Sequence, residues 1–132
     1  MSPLGPQDLA LVEAATDLAR TRCHGEDHTV AAVARARDGR TAQGLNVYHF
    51  TGGPCAELVV LGAAAARGIR ELDTIVAVGD RERGVLPPCG RCRQVLLDLH
   101  PGLRVVLGSG GTLRAVPVAD LLPERYVRSA SD

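Results

Sequence analysis

An α/β fold of three layers, α/β/α, around a mixed sheet of about five strands is what the sequence predicts, and three observations predict it. Helix-spaced and strand-like segments follow one another in the order helix, hairpin, helix, strand, helix, strand, strand. Asp38-Gly39 is a strong two-residue hairpin turn between the first two strands. The two later helices each open directly after a proline, Pro54 and Pro88. A chain of 132 residues is long enough for one core and too short for two ordinary domains, so residues 1–132 are read as a single domain.

After Pro6, the residues Leu9, Val12, Ala15, Leu18 and Ala19 recur at helical spacing with charged residues between them, which predicts an amphipathic helix over Gln7 to His24. Val30 to Arg37 and Thr41 to His49 should pair as antiparallel strands. Thr51-Gly52-Gly53-Pro54 breaks the second of them. Cys55 to Arg67 then reads as a helix with no polar face, one that must be covered on every side. Leu72 to Gly79 is a short apolar strand, Pro87-Pro88 is a breaker, and Cys89 to Leu99 is a helix that stops before His100-Pro101-Gly102. Leu103 to Leu107 and Leu113 to Val118 are two more strands, joined by Gly108-Ser109-Gly110-Gly111.

Composition narrows the function. Fifteen basic against fifteen acidic residues give no net charge, so nothing draws the chain to nucleic acid or to an anionic membrane. Aromatics make up only 2% and Trp is absent, which argues against a stacking platform for strings of bases and leaves a single base held in a pocket. No apolar stretch approaches the ~20 residues of a membrane span, and Met1-Ser2-Pro3-Leu4-Gly5-Pro6 lacks the pattern of a secretory signal, so a cytoplasmic location is expected. Four cysteines beside a good aliphatic core suit metal ligands or reduced thiols better than disulfides.

Pro54-Cys55-Ala56-Glu57 and Pro88-Cys89-Gly90-Arg91-Cys92 each start a helix. Cys89 and Cys92, at i and i+3, put both sulfurs on one side of the first turn, and all three cysteines lie where a helix N-terminus favours thiolate. Three cysteine ligands leave one corner of a zinc tetrahedron open, the mark of a catalytic site. Glu57 follows Cys55 too closely to ligate beside it, yet can reach the open corner as a proton shuttle. Three thiolates on a divalent ion leave a charge of about −1, which Arg91 and the two helix N-termini offset. Two other readings stand at this point. The Cys-x-x-Cys pair alone also suits a redox site, which needs neither Cys55 nor Glu57, and a structural zinc takes a fourth ligand, for which Cys23, His24, His28, His49 and His100 are available. Cys23 reads by default as an inert thiol, and His24 and His100 as residues of helix ends. Arg67, Arg70 and the cluster Arg81-Glu82-Arg83 read as solvated, with Arg83 set apart because its loop leads into Pro88-Cys89.

A ligand, then Glu two residues on, then P-C-x-x-C is the signature of zinc-dependent nucleobase deaminases. The runs from Asn46 to Gly62 and from Cys89 to Pro101 resemble the blasticidin-S deaminase branch of the cytidine deaminase superfamily over nearly the whole chain. The resemblance implies a cytidine deaminase-like fold, a homotetramer, a small aminopyrimidine substrate, Zn2+ on Cys55, Cys89 and Cys92, and Glu57 as catalytic proton shuttle. It also implies that Asn46, Tyr48, Ala56, Thr29, Arg83 and Tyr126 border the substrate. Tetrameric cytidine deaminases carry Asn and, two residues later, Glu on the ribose hydroxyls; here Asn46 matches and Tyr48 replaces the carboxylate. Arg128 and His28-Thr29 also depart from the blasticidin enzyme, so the reaction carries over better than the substrate.

Overall fold

The computed structural model describes residues 4–109 and 111–129; Met1, Ser2, Pro3 and the Gly110 of the predicted turn lie outside them. The chain runs α1 (Pro6–Arg22), β1 (Val30–Ala36), β2 (Thr41–Leu45), α2 (Ala56–Ala66), β3 (Leu72–Gly79), β4 (Gly84–Leu86), α3 (Gly90–Leu99), β5 (Arg104–Ser109), β6 (Thr112–Pro117) and a short 3-10 helix (Val118–Leu121). The sheet has six strands, one more than expected, in the order β2-β1-β3-β5-β6, with β4 added to β3. Among the described residues, β3 and β5 form the only parallel pair. β1 runs antiparallel along β3, and the other edge of β3 is shared, with β5 beside Thr74 and Ile75 and β4 beside Ala77 to Gly79.

Strand alternation sorts the core into two layers. Ala31, Val33, Val76, Val78 and Val106 meet Leu11, Ala15 and Ala19 of α1. Ala32, Ala34, Ala36, Ile75, Ala77, Val105 and Leu107 face the opposite way, onto Val60, Leu61 and Ala64 of α2 and Leu96 and Leu97 of α3. At Gly44 a Cβ would lie 2.7 Å from a Val59 methyl, so glycine lets β2 approach α2 closely. Both helices on this face start at the end of the sheet where β3 finishes, and that end holds the cysteines.

Several boundaries differ from the sequence reading for identifiable reasons. α1 stops at Arg22, where the Cys23 amide closes onto the Ala19 carbonyl and the chain turns through a bridge between His24 and His28. β2 ends at Leu45 rather than His49, because the next residues fold back on themselves and the Val47 amide donates to the Pro54 carbonyl at 3.0 Å. β4 is three residues long, too short to show periodicity. The expectation that α2 is covered all round is not met within one chain: Gly62, Ala65 and Ala66 are exposed and Leu58 and Val59 only half-buried.

Away from that end, one charged cluster is buried. Asp8 of α1 accepts from Arg35 at 2.9 Å and Arg104 at 3.0 Å, and Arg35 also reaches Asp73 at 3.0 Å. Burial disfavours the Asp8 carboxylate, but hydrogen bonds from Arg104, Arg35 and the Gly5 amide outweigh it and hold the carboxyl down at about 2. A lowered folded-state pKa gives stability that is present above the unfolded value near 4 and lost as pH falls through about 2. Asp8→Asn is therefore expected to cost about 2 kcal/mol at pH 7, with the gap to wild type closing between about pH 4 and 2. Thermal unfolding of both proteins in matched buffers measures it, and a gap independent of pH would contradict it.

Candidate metal centre and active site

Two loops deliver the cysteines. In the first, Gly52 has φ +103° and its amide donates to the His49 carbonyl, while a Cβ on Gly53 would sit 1.6 Å from the Val47 carbonyl oxygen. Only glycine fits there, and the loop so closed presents Cys55 as the N-cap of α2. In the second, Cys89 caps α3, its sulfur accepting from the Cys92 amide at 3.5 Å. Cys92 lies in the first turn of that helix, fully buried.

The Sγ atoms of Cys55, Cys89 and Cys92 all lie within 4.8 Å of one another, and those of Cys55 and Cys89 are 3.6 Å apart. Among the described residues no fourth side chain joins them. Of the proposed fourth ligands, His24 engages the Arg22 carbonyl, His28 the Asn46 carbonyl and His49 Thr51, and neither Cys23 nor His100 is in the cluster. A structural Cys-plus-fourth-ligand site is thereby disfavoured, and Cys55 beside the Cys-x-x-Cys pair disfavours a redox site. Arg91 donates to the Gly53 carbonyl at 3.0 Å and lies 3.7 Å from the Cys55 sulfur, where it offsets thiolate charge.

Glu57, in the first turn of α2, is only 6% exposed. Burial pushes its carboxyl above the ordinary carboxylate value, with its own backbone amide as the opposing influence. Its charge is felt at Cys92, whose thiol is pushed well up, first by burial and then by Glu57. Cys89 behaves in the opposite way: burial disfavours its thiolate, but hydrogen bonds from the Cys92 amide and from both neighbouring thiols bring it below the usual thiol value. Three convergent soft donors, two of them at helix N-termini, with a buried carboxylate alongside, fit Zn2+ with one position left for water.

The residues predicted to border the substrate are more dispersed. Ala56 is buried beside Cys55. Asn46 and Thr29 are bonded to each other, the Asn46 carboxamide oxygen accepting from the Thr29 and Val30 amides at 2.7 and 2.9 Å. Tyr48 is 63% exposed, on the loop that leads to Cys55. Arg83 turns toward protein groups, the Thr29 carbonyl and Asp80. Tyr126 lies along α3, its carbonyl accepting from Gln94 at 3.0 Å. A cleft of about 420 Å³ lies on the α1 side of the sheet, between the last turns of α1 and residues 78–84, and includes none of the cysteines of the cluster.

Sequence reasoning passed over Arg93. It donates to the Pro88 carbonyl at 2.9 Å and the Leu121 carbonyl at 3.2 Å, tying the loop before Cys89 to the C-terminal segment. An arginine after Cys92 carries no signal of such a role in a single sequence. Gln94, which anchors Tyr126, was equally silent.

Three thiols around one open position with a buried carboxylate two residues past a ligand define a zinc-dependent hydrolase site. A family model described as the cytidine and deoxycytidylate deaminase zinc-binding region matches residues 6–109, and the chain belongs to that family. It is 32% identical to a blasticidin-S deaminase of Bacillus cereus over 135 residues, 96% of each chain. It is 38% identical to a cytidine deaminase of Halalkalibacterium halodurans over 101 residues, 74% of this chain and 76% of that one. The crystal structure of cytidine deaminase from Burkholderia pseudomallei superposes with TM-score 0.73 at 35% identity, covering 89% of this chain and 98% of its own. The protein is a zinc-dependent hydrolytic deaminase acting on a cytosine-like ring.

Proposed function

We propose that this chain replaces the exocyclic amine of blasticidin S, or of a related aminopyrimidine nucleoside, with a carbonyl oxygen and releases ammonia. The observation that carries the reading is the cluster of three Sγ atoms within 4.8 Å beside a buried Glu57. Cys55, Cys89 and Cys92 would hold Zn2+, which would supply the Lewis acidity that makes water nucleophilic near neutral pH. Glu57 moves both protons of the attacking water: the first goes to the ring nitrogen, and the second, taken from the hydroxyl added to the ring carbon as it becomes a carbonyl, goes to the amine, which leaves as ammonia. Burial raises this carboxyl above its ordinary value, the direction in which a group that must carry protons is tuned. Arg91 offsets the charge of three thiolates, and backbone groups around Ala56 orient the ring. Thr29, Asn46, Tyr48 and Tyr126 border the group that the ring carries.

The substrate choice is supported by the 32% identity to the Bacillus cereus blasticidin-S deaminase over 96% of both chains, and a role in antibiotic resistance follows from it. Deamination of cytidine in salvage is the second reading, favoured by the 38% identity to a cytidine deaminase. Ammonia release measured over blasticidin S, cytidine, cytosine and modified aminopyrimidines tests both. Blasticidin S is expected to show the highest kcat/KM, and silence across the whole panel would leave only a zinc-stabilised binding module.

The working unit is read as a homotetramer of one-domain subunits. Half-buried Leu58 and Val59 on α2, with Tyr48, Phe50, Tyr126 and Val127 exposed by 63 to 87%, give one chain more apolar surface than water favours. Light scattering at low micromolar concentration that gave 13.8 kDa would contradict this.

A further inference from the structure

Between α1 and β1 the chain makes a tight turn that brings two histidines together. The His24 amide donates to the His28 carbonyl at 3.0 Å, and Gly25 at φ +65° lets the backbone reverse between them. The reversal sets the two imidazoles side by side, with ring centroids 5.4 Å apart and planes 40° from parallel. Each ring is held by a backbone carbonyl, Nδ1 of His24 by that of Arg22 at 3.2 Å and Nδ1 of His28 by that of Asn46 at 2.8 Å. A carbonyl only accepts, so in the neutral ring Nδ1 carries the proton and Nε2 keeps the lone pair. A carbonyl on one ring nitrogen is the support that metal-ligating histidines ordinarily have.

The spacing of the rings selects the ion. With zinc–nitrogen bonds of about 2.05 Å, each ring centroid lies about 3.2 Å from the metal, so two imidazoles on one tetrahedral ion have centroids about 5.2 Å apart. Adjacent corners of a square-planar ion, the preference of Cu2+ and Ni2+, would bring them to about 4.5 Å. The observed 5.4 Å fits the tetrahedral case. His24 is exposed and His28 half-buried, so the pair is open to solvent. Glu26 and Asp27, both exposed in the same turn, add negative charge that favours a cation. Among the described residues no third His, Cys, Asp or Glu gathers with the pair, which leaves the other two positions to water.

We propose that His24 and His28 form a second zinc site, separate from the three cysteines and weaker than theirs, which fastens the turn at residues 24–28. The turn is tied to the loop that leads to Cys55: the Tyr48 amide donates to the Asp27 carbonyl at 2.8 Å, and His28 to the Asn46 carbonyl. A bound ion therefore stiffens a support of that loop. The site stands on the geometry of the ring pair and does not depend on which substrate the enzyme takes.

The test titrates Zn2+ by calorimetry into protein that already carries one zinc per chain, with histidine ring NMR and amide hydrogen exchange on the same samples. Wild type is expected to take one further Zn2+ per chain with Kd on the order of 10 μM, since two ligands give roughly half the binding free energy of a four-ligand site. An ion held that weakly is lost on gel filtration, whereas the ion on the cysteines stays. The His24 and His28 ring signals should shift during the titration while those of His49 and His100 do not. Exchange at the His24 and Tyr48 amides should slow. His24→Ala, at an exposed position, should weaken the second Zn2+ at least about tenfold and leave the first in place, and His28→Gln should do the same. Cys23→Ser should bind the second Zn2+ as wild type does. The proposal would be overturned by no second Zn2+ in wild type up to about 1 mM, by ring shifts at His49 or His100 instead, by undiminished binding in His24→Ala, or by loss of binding in Cys23→Ser.

Discussion

Glu57→Gln is expected to lower kcat by at least ~10³-fold while zinc stays at one per chain and the fold is unchanged. Proton transfer by a positioned group is worth about 10² to 10⁴, and here one carboxylate serves the water, the ring nitrogen and the leaving amine in turn. Gln has nearly the same shape, so the packing around a residue 6% exposed survives, and it still offers a hydrogen bond to the ring. It cannot change protonation state. Substrate affinity should therefore hold or tighten, so kcat/KM falls mainly through kcat. Turnover and zinc content measured on one preparation decide it, and near wild-type turnover with full zinc would sink the mechanism. A merely structural metal would make the substitution quiet.

Much of this was legible in the sequence because it depends on short-range rules. Cys55 and Cys89 each follow a proline and cap a helix, and Cys92 lies three residues after Cys89 in the first turn, so spacing alone brought the three sulfurs together. The β3 boundaries, Leu72 to Gly79, also match, because that strand is apolar on both faces and bounded on both sides. Where long-range contacts overrule local pattern, the sequence misled. β2 reads as continuing to His49, but Asn46 bonds to the start of β1 and the loop behind it closes on Pro54. β4 escaped notice because its turn carries Arg81 and Glu82 in place of the Asn-Gly that announces such a hairpin, and only Arg20, 62 residues away from Glu82, explains how they are held. Arg83 was singled out because its loop leads into Pro88-Cys89, but its partners are Asp80 of its own turn and Thr29, 54 residues away, which no spacing rule relates to it.

Replacing Cys92 by Ser should remove zinc and reduce deamination to the uncatalysed rate. Ser is close to Cys in volume, so the fully buried position beside Leu96 stays filled, but the soft sulfur donor is gone and a hydroxyl gives up its proton far less readily. Groups that merely support metal ligands cost 10- to 100-fold in affinity when lost, so the loss of one of three ligands should exceed about 100-fold. Burial and the neighbouring Glu57 both push the Cys92 thiol up, so a negative sulfur at this position calls for a cation beside it. Cys23→Ser is the matched control, since Cys23 is half-buried at the end of α1 and outside the cluster. That variant should keep one zinc and full turnover. Metal analysis after gel filtration, with thiol titration of the native proteins, reads both: wild type is expected to show three protected thiols and one zinc, and Cys92→Ser none. Zinc retained at one per chain in Cys92→Ser, with activity intact, would mean that the metal is held by a different set of residues.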